Sequence, residues 1–186
     1  MTRMTRHPSS LAGLVLVAGV LLGACAHRAP TPSALAANTP STAGALGHPE
    51  KQFFALSVSD LEASATWYLR VFELQRLGGS ESPDGASRNA ILGSDHFLIE
   101  LIHHRDAKPL AQWSPDANRT YLAHGIFKVG VYVDDFERAL AHLRKQQVAF
   151  AGEVRDDARY GLRFILFRDP DGNFLQLYGD LAPRNP

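Results

Sequence analysis

Apolar and polar positions follow the spacing of strands and helices over residues 51–181 of the chain. An apolar run at residues 53–59 ends at Asp60, and Asp is a residue type that caps the start of helices. Apolar side chains then recur at helical spacing over residues 61–72, which predicts an amphipathic helix. Apolar runs on both sides of a polar turn at residues 93–96 predict an antiparallel pair of strands.

The same order of elements returns at an offset of 75 residues, so that residue 128 matches residue 53. A second apolar run ends at Asp135, and a second amphipathic helix is predicted over residues 136–146. Two further strands are predicted on either side of the turn DPDGN at residues 169–173. This internal repeat predicts an α+β fold made of two copies of a module of strand, helix and further strands.

The start of the chain has the features of a secretory signal peptide. Arg3 and Arg6 precede an uncharged apolar run at residues 11–22, which is followed by small residues up to Cys25. At about 1.5 Å per residue this run is too short for a hydrocarbon core of about 30 Å. The tetrapeptide LGAC that ends at Cys25 resembles the lipobox of bacterial lipoproteins, which implies removal of residues 1–24 and lipidation of the Cys. An ordinary cleaved signal peptide is the alternative.

The lipobox resemblance also implies a location. Ala26 follows the Cys where an Asp would retain a lipoprotein of this type in the inner membrane, so we expect the outer membrane, facing the periplasm. Residues 25–50 are rich in Ala, Pro, Thr and Ser without apolar periodicity, which predicts a disordered tether. The predicted organisation is a leader (1–24), the lipidated Cys and tether (25–50) and one folded domain (51–182) with modules at 51–112 and 124–182.

Length, charge and cysteine content exclude several classes of protein. The 186 residues suffice for one folded domain of ordinary size and the segments before it. The 19 basic residues equal the 19 acidic ones, so no basic excess indicates a nucleic-acid partner. The single Cys excludes an intramolecular disulfide and a zinc site with several Cys ligands.

Three phrases in the folded part resemble the vicinal oxygen chelate superfamily, which includes glyoxalase I, extradiol dioxygenases and bleomycin-resistance proteins. They are FALSVSDLEASATWYLRVF, FKVGVYVDDFERALAHL and FRDPDGNFLQLYG. The resemblance covers nearly all of the folded part. It implies a fold of duplicated βαβββ modules whose strands form a cup-shaped mixed sheet around a site.

The resemblance implies a metal site from which this sequence departs. Metal-dependent members use two His and two Glu, or a close variant, from the first and last strands of each module, a ligand set suited to divalent transition metals. The matching positions are Phe53, Glu100, Lys128 and Gln176. Phe offers no lone pair and Lys is a protonated donor, so we expect no cofactor, although a divalent metal is not excluded. Glu100 and His104 share strand parity and are the remaining candidates, with His103 and His124 left open.

Strand alternation places a set of polar and aromatic side chains on one face of the predicted strands. The candidate ligand-binding residues are Ser57, Glu100, Lys128, Tyr132, Gln176 and Tyr178. We expect Lys128 to replace the charge of the metal and to pair with Glu100, while Gln176 orients a ligand; in the alternative, Lys128 extends into solvent. Aromatic walls with a few polar groups are typical of a small-molecule pocket.

These observations favour a cell-envelope lipoprotein that binds a small, partly aromatic or amphipathic ligand without a metal and is not an enzyme. The first alternative is a metal-dependent lyase or dioxygenase with non-standard ligands. The second is a non-catalytic interaction protein of the envelope. The expected partners are the ligand, the membrane through the lipid anchor and, in a homodimer, a second copy of the chain. The two halves of the cup close either within one chain or across such a dimer.

Overall fold

The computed structural model describes residues 51–113 and 124–181, so the predicted leader, Cys25 and the tether lie outside the described residues. The first module contains β1 (Gln52–Ser57), α1 (Leu61–Val71), β2 (Gln75–Glu81), β3 (Ser87–Gly93) and β4 (Phe97–His104), followed by a short 3-10 helix at Leu110–Gln112. The second contains β5 (Lys128–Tyr132), α2 (Phe136–Lys145), β6 (Ala149–Phe150), β7 (Arg155–Asp157), β8 (Leu162–Arg168) and β9 (Phe174–Asp180).

The two modules have the same strand order. The first sheet runs β1-β4-β3-β2, and the second runs β5-β9-β8-β6 with β7 also paired to β8. In each module the first and last strands are parallel, and the remaining pairs are antiparallel. Two short strands, β6 and β7, replace the single strand β2 of the first module. The duplicated βαβββ fold is therefore confirmed, with its strands divided between two sheets rather than joined in one continuous sheet.

The helices begin where the sequence predicts. Asp60 accepts hydrogen bonds from two backbone N–H groups of the first turn of α1, at 3.1 and 3.0 Å, and Asp135 accepts one at 3.0 Å from the first turn of α2. These caps satisfy N–H groups that have no partner within the helix. The helices end at Val71 and Lys145, one residue before the predicted ends. Within the described ranges, no helix is long and apolar enough to cross a membrane.

Both modules contribute to one hydrophobic core. Helix α1 packs on β3 and β4, while α2 packs on β9. The Phe72 ring, just after α1, lies with its centre 5.8 Å from that of Phe97 in the first module and 6.2 Å from that of Phe167 in the second. The core uses the helix-facing side of each sheet. Because side chains alternate along a strand, each sheet has a second side that the core does not use, which we call its open face.

The turn between β8 and β9 forms as predicted and also connects the modules. The Gly172 N–H donates to the Asp169 carbonyl at 3.0 Å, and Gly172 has φ of 85°, a region that favours glycine. The Asp171 carboxylate accepts a hydrogen bond from the Ser59 N–H at 2.9 Å and one from the Ser64 hydroxyl at 3.1 Å. The turn of the second module thus contacts the start of α1 in the first.

A buried phenol and carboxylate form a second connection between the modules. Tyr68 of α1 is 0% exposed and donates its hydroxyl to Asp169 at 2.8 Å. The Asp169 carboxylate also accepts the backbone N–H and the side-chain amide of Asn173, each at 2.8 Å. Burial, together with the neighbouring carboxylate, raises the pKa of Tyr68 above its ordinary value. The buried Asp169 carboxylate thus accepts three hydrogen bonds, as expected for a buried polar group.

Candidate functional site

The strand register arranges the predicted site residues in rows across the two open faces, because directly paired residues share a face. The rows of the first open face are Phe53, Leu98, Gly93; then Ala55, Glu100, Ile91; then Ser57, Ile102, Asn89. The matching rows of the second are Lys128, Phe174, Arg168; then Gly130, Gln176, Leu166; then Tyr132, Tyr178, Phe164. All six predicted ligand-binding residues lie on an open face, two on the first and four on the second.

On the first open face, Glu100 is held by a chain of hydrogen bonds. The Asn89 side-chain amide donates to Glu100 Oε1 at 2.7 Å. The Asn89 carbonyl oxygen accepts the Ser80 N–H at 2.6 Å and the Ser80 hydroxyl at 2.9 Å. These three contacts fix the amide with its N–H₂ group toward the carboxylate. Glu100 is thereby oriented by neutral groups of its own sheet.

A cavity of about 280 Å³ opens beside this chain of hydrogen bonds. Its lining residues all belong to the first module and are Ser80, Glu81, Ser82, Ser87, Asn89, Glu100 and Ile102. Two carboxylates and three hydroxyls among them accept or donate hydrogen bonds. The volume lies just below the range of ligand pockets, about 300–1,000 Å³. The cavity therefore suits a small polar molecule.

Lys128 is exposed and lies in the other module. Its ammonium is 5.7 Å from the centre of the Phe127 ring, a cation–π distance. The predicted ion pair between Lys128 and Glu100 does not form among the described residues, because the two lie on different sheets and Glu100 is held by Asn89. Gln176 borders a separate narrow apolar crevice between the modules. The structure therefore does not bring Glu100, Lys128 and Gln176 into one cavity.

The two predicted tyrosines do lie together on the second open face. Their ring centres are 5.1 Å apart in an edge-to-face arrangement, and the Tyr132 hydroxyl donates to the Asp180 carboxylate. The Tyr178 ring lies against the backbone of Gly130, where an added Cβ would approach the ring to 2.8 Å. A larger residue at that position would therefore require the Tyr178 ring to shift. On the first open face, Ser57 is exposed and is paired with Ile102 of β4.

The four positions that match metal ligands in the resemblance to the vicinal oxygen chelate superfamily do not supply a ligand set that suits a divalent cation. Phe53 and Glu100 lie on the first sheet, whereas Lys128 and Gln176 lie on the second. The donor set is one carboxylate and one neutral amide, with a cation and an apolar ring in the other two places. In the part of the chain that the structure describes, no three His, Cys, Asp or Glu side chains are grouped so that they could hold a metal ion.

Two of the three histidines that the sequence offers as candidates contact backbone atoms. His103 Nδ1 lies 3.2 Å from the Val58 carbonyl oxygen. His104 Nδ1 accepts the Asp106 N–H at 3.1 Å, so its ring turns toward the loop after β4 although strand parity places it on the open face with Glu100. His124 is exposed in the segment before β5.

Sequence reasoning missed three contributors to the open faces. Asn89 and Ser80 orient Glu100, and Arg168 places its guanidinium carbon 3.8 Å from the centre of the Phe174 ring. Asn89 is the last of three polar residues that begin β3, and nothing in this local pattern distinguishes it as the partner of Glu100. The pairing of Arg168 with Phe174 depends on the length of the turn between their strands.

Comparisons with known proteins support the fold and identify the family. Residues 47–177 match the family model described as "Glyoxalase/Bleomycin resistance protein/Dioxygenase superfamily". A glyoxalase family protein from Enterococcus faecalis is 21% identical, with a TM-score of 0.58 over 69% of this chain and 96% of that one. A glyoxalase/bleomycin resistance/dioxygenase domain from Frankia sp. is 17% identical, with a TM-score of 0.56 over 72% of this chain and 99% of that one.

A glyoxalase/dioxygenase from Nostoc punctiforme is 23% identical, with a TM-score of 0.51 over 69% of this chain and 88% of that one. No curated relative matches the chain. At these identities the solved structures support the fold, while the family model covers more than half of the sequence. The chain therefore belongs to the glyoxalase, bleomycin resistance protein and dioxygenase superfamily.

Proposed function

We propose that the chain is a cell-envelope lipoprotein whose superfamily domain binds a small molecule without a metal ion. The observation that carries this proposal is the orientation of Glu100 by Asn89 and Ser80 beside a polar cavity of about 280 Å³. A carboxylate held by neutral donors accepts hydrogen bonds from a ligand without a cation between them. Ligand binding, rather than chemistry on a metal, is what these side chains support.

Metal content tests the metal-free part of the proposal. Protein purified without chelator is expected to contain far less than one transition metal ion per chain, because the four superfamily ligand positions supply only Glu100 and Gln176 as donors. The alternative, a metal-dependent lyase or dioxygenase, draws support from the Nostoc relative, which is described as a glyoxalase/dioxygenase. A stoichiometric metal that supports turnover would overturn the metal-free proposal in favour of this enzyme.

Thermal stabilisation by a library of small molecules tests the binding site, because a ligand that binds the folded state raises the melting temperature. Shifts seen with the native chain should disappear in Glu100→Gln and in Asn89→Ala. They should persist in Glu153→Gln, which changes an exposed carboxylate of the second module. If no compound stabilises the native chain, the interaction protein of the envelope becomes the better explanation.

The lipid anchor is proposed from the sequence LGAC that ends at Cys25. Two or more acyl chains hold a protein stably on a membrane, whereas one chain is marginal. Cys25→Ser is expected to abolish incorporation of labelled palmitate and to release the chain from the membrane fraction. Ser33→Ala, in the predicted tether, should change neither result. Palmitate labelling that survives Cys25→Ser would refute the anchor.

A homodimer is proposed as a further property of the same domain. Phe53 and Leu77 of the first sheet are 58% and 55% exposed, and contact with a second copy would remove this apolar surface from water. Sedimentation velocity of the full chain gives the oligomeric state directly. Phe53→Lys should then shift the chain from dimer toward monomer.

A further inference from the structure

The two open faces differ in charge although the modules repeat each other. The first row of the first open face is entirely apolar, being Phe53, Leu98 and Gly93. The corresponding row of the second is Lys128, Phe174 and Arg168, and we call it the cationic row. In the next row, the first module has Glu100 and the second has the neutral Gln176. These two rows of the second module therefore hold two cations and no carboxylate. The Asp180 carboxylate of the same face lies at the other end of β9, where it accepts the Tyr132 hydroxyl.

The side chains of the cationic row are arranged around aromatic rings. The guanidinium carbon of Arg168 lies 3.8 Å from the centre of the Phe174 ring, and its Nη1 donates to the Gly172 carbonyl at 2.6 Å. The Phe127 ring centre is 5.5 Å from that of Phe174, and the Lys128 ammonium is 5.7 Å from the Phe127 ring. Stacking on Phe174 and the bond to the turn hold the guanidinium in one orientation.

No carboxylate among the described residues lies within ion-pair distance of Lys128 or Arg168. The acidic residues of the adjacent turn are used elsewhere, since Asp169 bonds to Tyr68 and Asp171 to Ser59 and Ser64. The Arg168 guanidinium has five N–H donors, and one of them is bonded to the Gly172 carbonyl. The cationic row thus offers several donors to an external anion.

We propose that the cationic row binds the carboxylate of a small aromatic acid, with the ring of the ligand beside the Phe127 ring. A planar guanidinium matches a carboxylate through two parallel hydrogen bonds, and Lys128 adds a second charge. The neighbouring rings favour a ligand with an aromatic body over a simple anion. This inference goes beyond the proposed function, because it assigns a second ligand site, on the second open face, in addition to the one proposed beside Glu100.

Benzoate is the probe, and backbone amide NMR spectra of the full chain are the measurement. Benzoate should shift the amide signals of β5, β8 and β9 around the cationic row, and the affinity should fall as salt is raised. Arg168→Gln and Lys128→Gln should each weaken binding about tenfold or more, as expected for loss of a charge-assisted hydrogen bond. Benzyl alcohol, which has the ring without the charge, should bind at least about tenfold more weakly than benzoate.

Arg144→Gln is the matched control, because Arg144 is an exposed Arg on α2 and lies outside both open faces. Its benzoate affinity should equal that of the native chain. Lys128 is exposed, so Lys128→Gln keeps the test valid if Arg168→Gln fails to fold. Absence of benzoate-induced shifts, or equal shifts in Lys128→Gln, would overturn the inference. Equal affinities for inorganic phosphate and benzoate would overturn the assignment of an aromatic acid.

This test is separable from that of the proposed function. If the protein is metal-free and other compounds stabilise it through Glu100 while benzoate does not bind, the cationic row is refuted and the proposed function stands. If a stoichiometric metal supports turnover but benzoate still shifts the amides around Arg168, the proposed metal-free function is refuted and the anion site stands.

Discussion

At the scale of single residues, the connection between the modules depends on a few buried polar groups. Tyr68 and Asp169 are 0% and 5% exposed, and they belong to different modules. A buried carboxylate is costly unless it is hydrogen-bonded, and three donors satisfy this one. Removing the Tyr68 hydroxyl therefore measures how much one hydrogen bond to Asp169 contributes to the free energy of unfolding.

Tyr68→Phe should lower the free energy of unfolding by about 1.5–3 kcal/mol, the range for a hydrogen bond to a charged group. Asp169 keeps its two bonds from Asn173, so the chain should still fold. Urea unfolding provides the measurement. Tyr160→Phe, at a tyrosine that is 55% exposed, should change the free energy by no more than about 0.5 kcal/mol. Equal effects of the two substitutions would contradict this account of Tyr68.

The same tyrosine predicts a loss of stability in alkali. Its folded-state pKa is raised above the unfolded value near 10, so its contribution is complete below that pH. As the pH rises further, the unfolded chain releases the proton first, and the unfolding free energy falls by up to about 1.4 kcal/mol per pH unit. Urea unfolding between about pH 9 and pH 11 should show a shallower fall in Tyr68→Phe. If the unfolding free energies of the native chain and of Tyr68→Phe fall equally over this pH range, Tyr68 is not the group responsible.

At the scale of secondary-structure elements, the turn between β8 and β9 has a role that its counterpart between β3 and β4 lacks. Asp171 bonds to the Ser59 N–H and to the Ser64 hydroxyl at the start of α1. Asp95, in the corresponding turn of the first module, is exposed. The two turns therefore offer an internal comparison.

Asp171→Ala should cost about 1–2 kcal/mol of unfolding free energy, because it removes one hydrogen bond from Ser64 of α1 and one from Ser59, which precedes the helix cap. Hydrogen exchange at the Ser59 amide should become faster in this variant. Asp95→Ala should stay within about 0.5 kcal/mol of the native chain and leave that amide unchanged. Unchanged exchange at Ser59 in Asp171→Ala would show that the turn does not hold the modules together.

Most helices, strands and turns could be predicted from the local sequence. The way in which the two modules pack against each other could not be predicted from it. The caps Asp60 and Asp135, the two helices and the turn at residues 169–173 follow from residue types and apolar spacing. Strand alternation also predicts which residues share an open face. It does not predict that Glu100 and Lys128 belong to separate sheets, because that placement depends on how the modules pack.

At the scale of the whole molecule, the two modules behave as one structural unit because they share a core. Phe167 of the second module is 0% exposed, and its ring centre lies 6.5 Å from that of Trp67 and 6.2 Å from that of Phe72 in the first. A core shared in this way favours a single cooperative unfolding transition.

Phe167→Ala should destabilise the chain by about 3–5 kcal/mol, as expected for truncation of a fully buried aromatic side chain. Unfolding followed by tryptophan fluorescence and by circular dichroism should coincide in both the native chain and the variant. Leu110→Ala, at a leucine that is 56% exposed and outside the proposed dimer surface, is the control and should cost no more than about 0.5 kcal/mol. Two separated transitions would contradict a shared core.

The division between a helix-facing core and the open faces has a consequence for how such a protein changes over generations. Exposed residues of the rows, such as Phe53 and Lys128, make few packing contacts within the domain. Substitutions there should therefore change the free energy of unfolding little, although that free energy is small in most domains. Because the module is duplicated, there are two such faces. Each can accumulate substitutions that suit a different ligand, while the shared core keeps both modules folded. A mutant library confined to these rows should therefore retain far more folded variants than one of equal size drawn from the core.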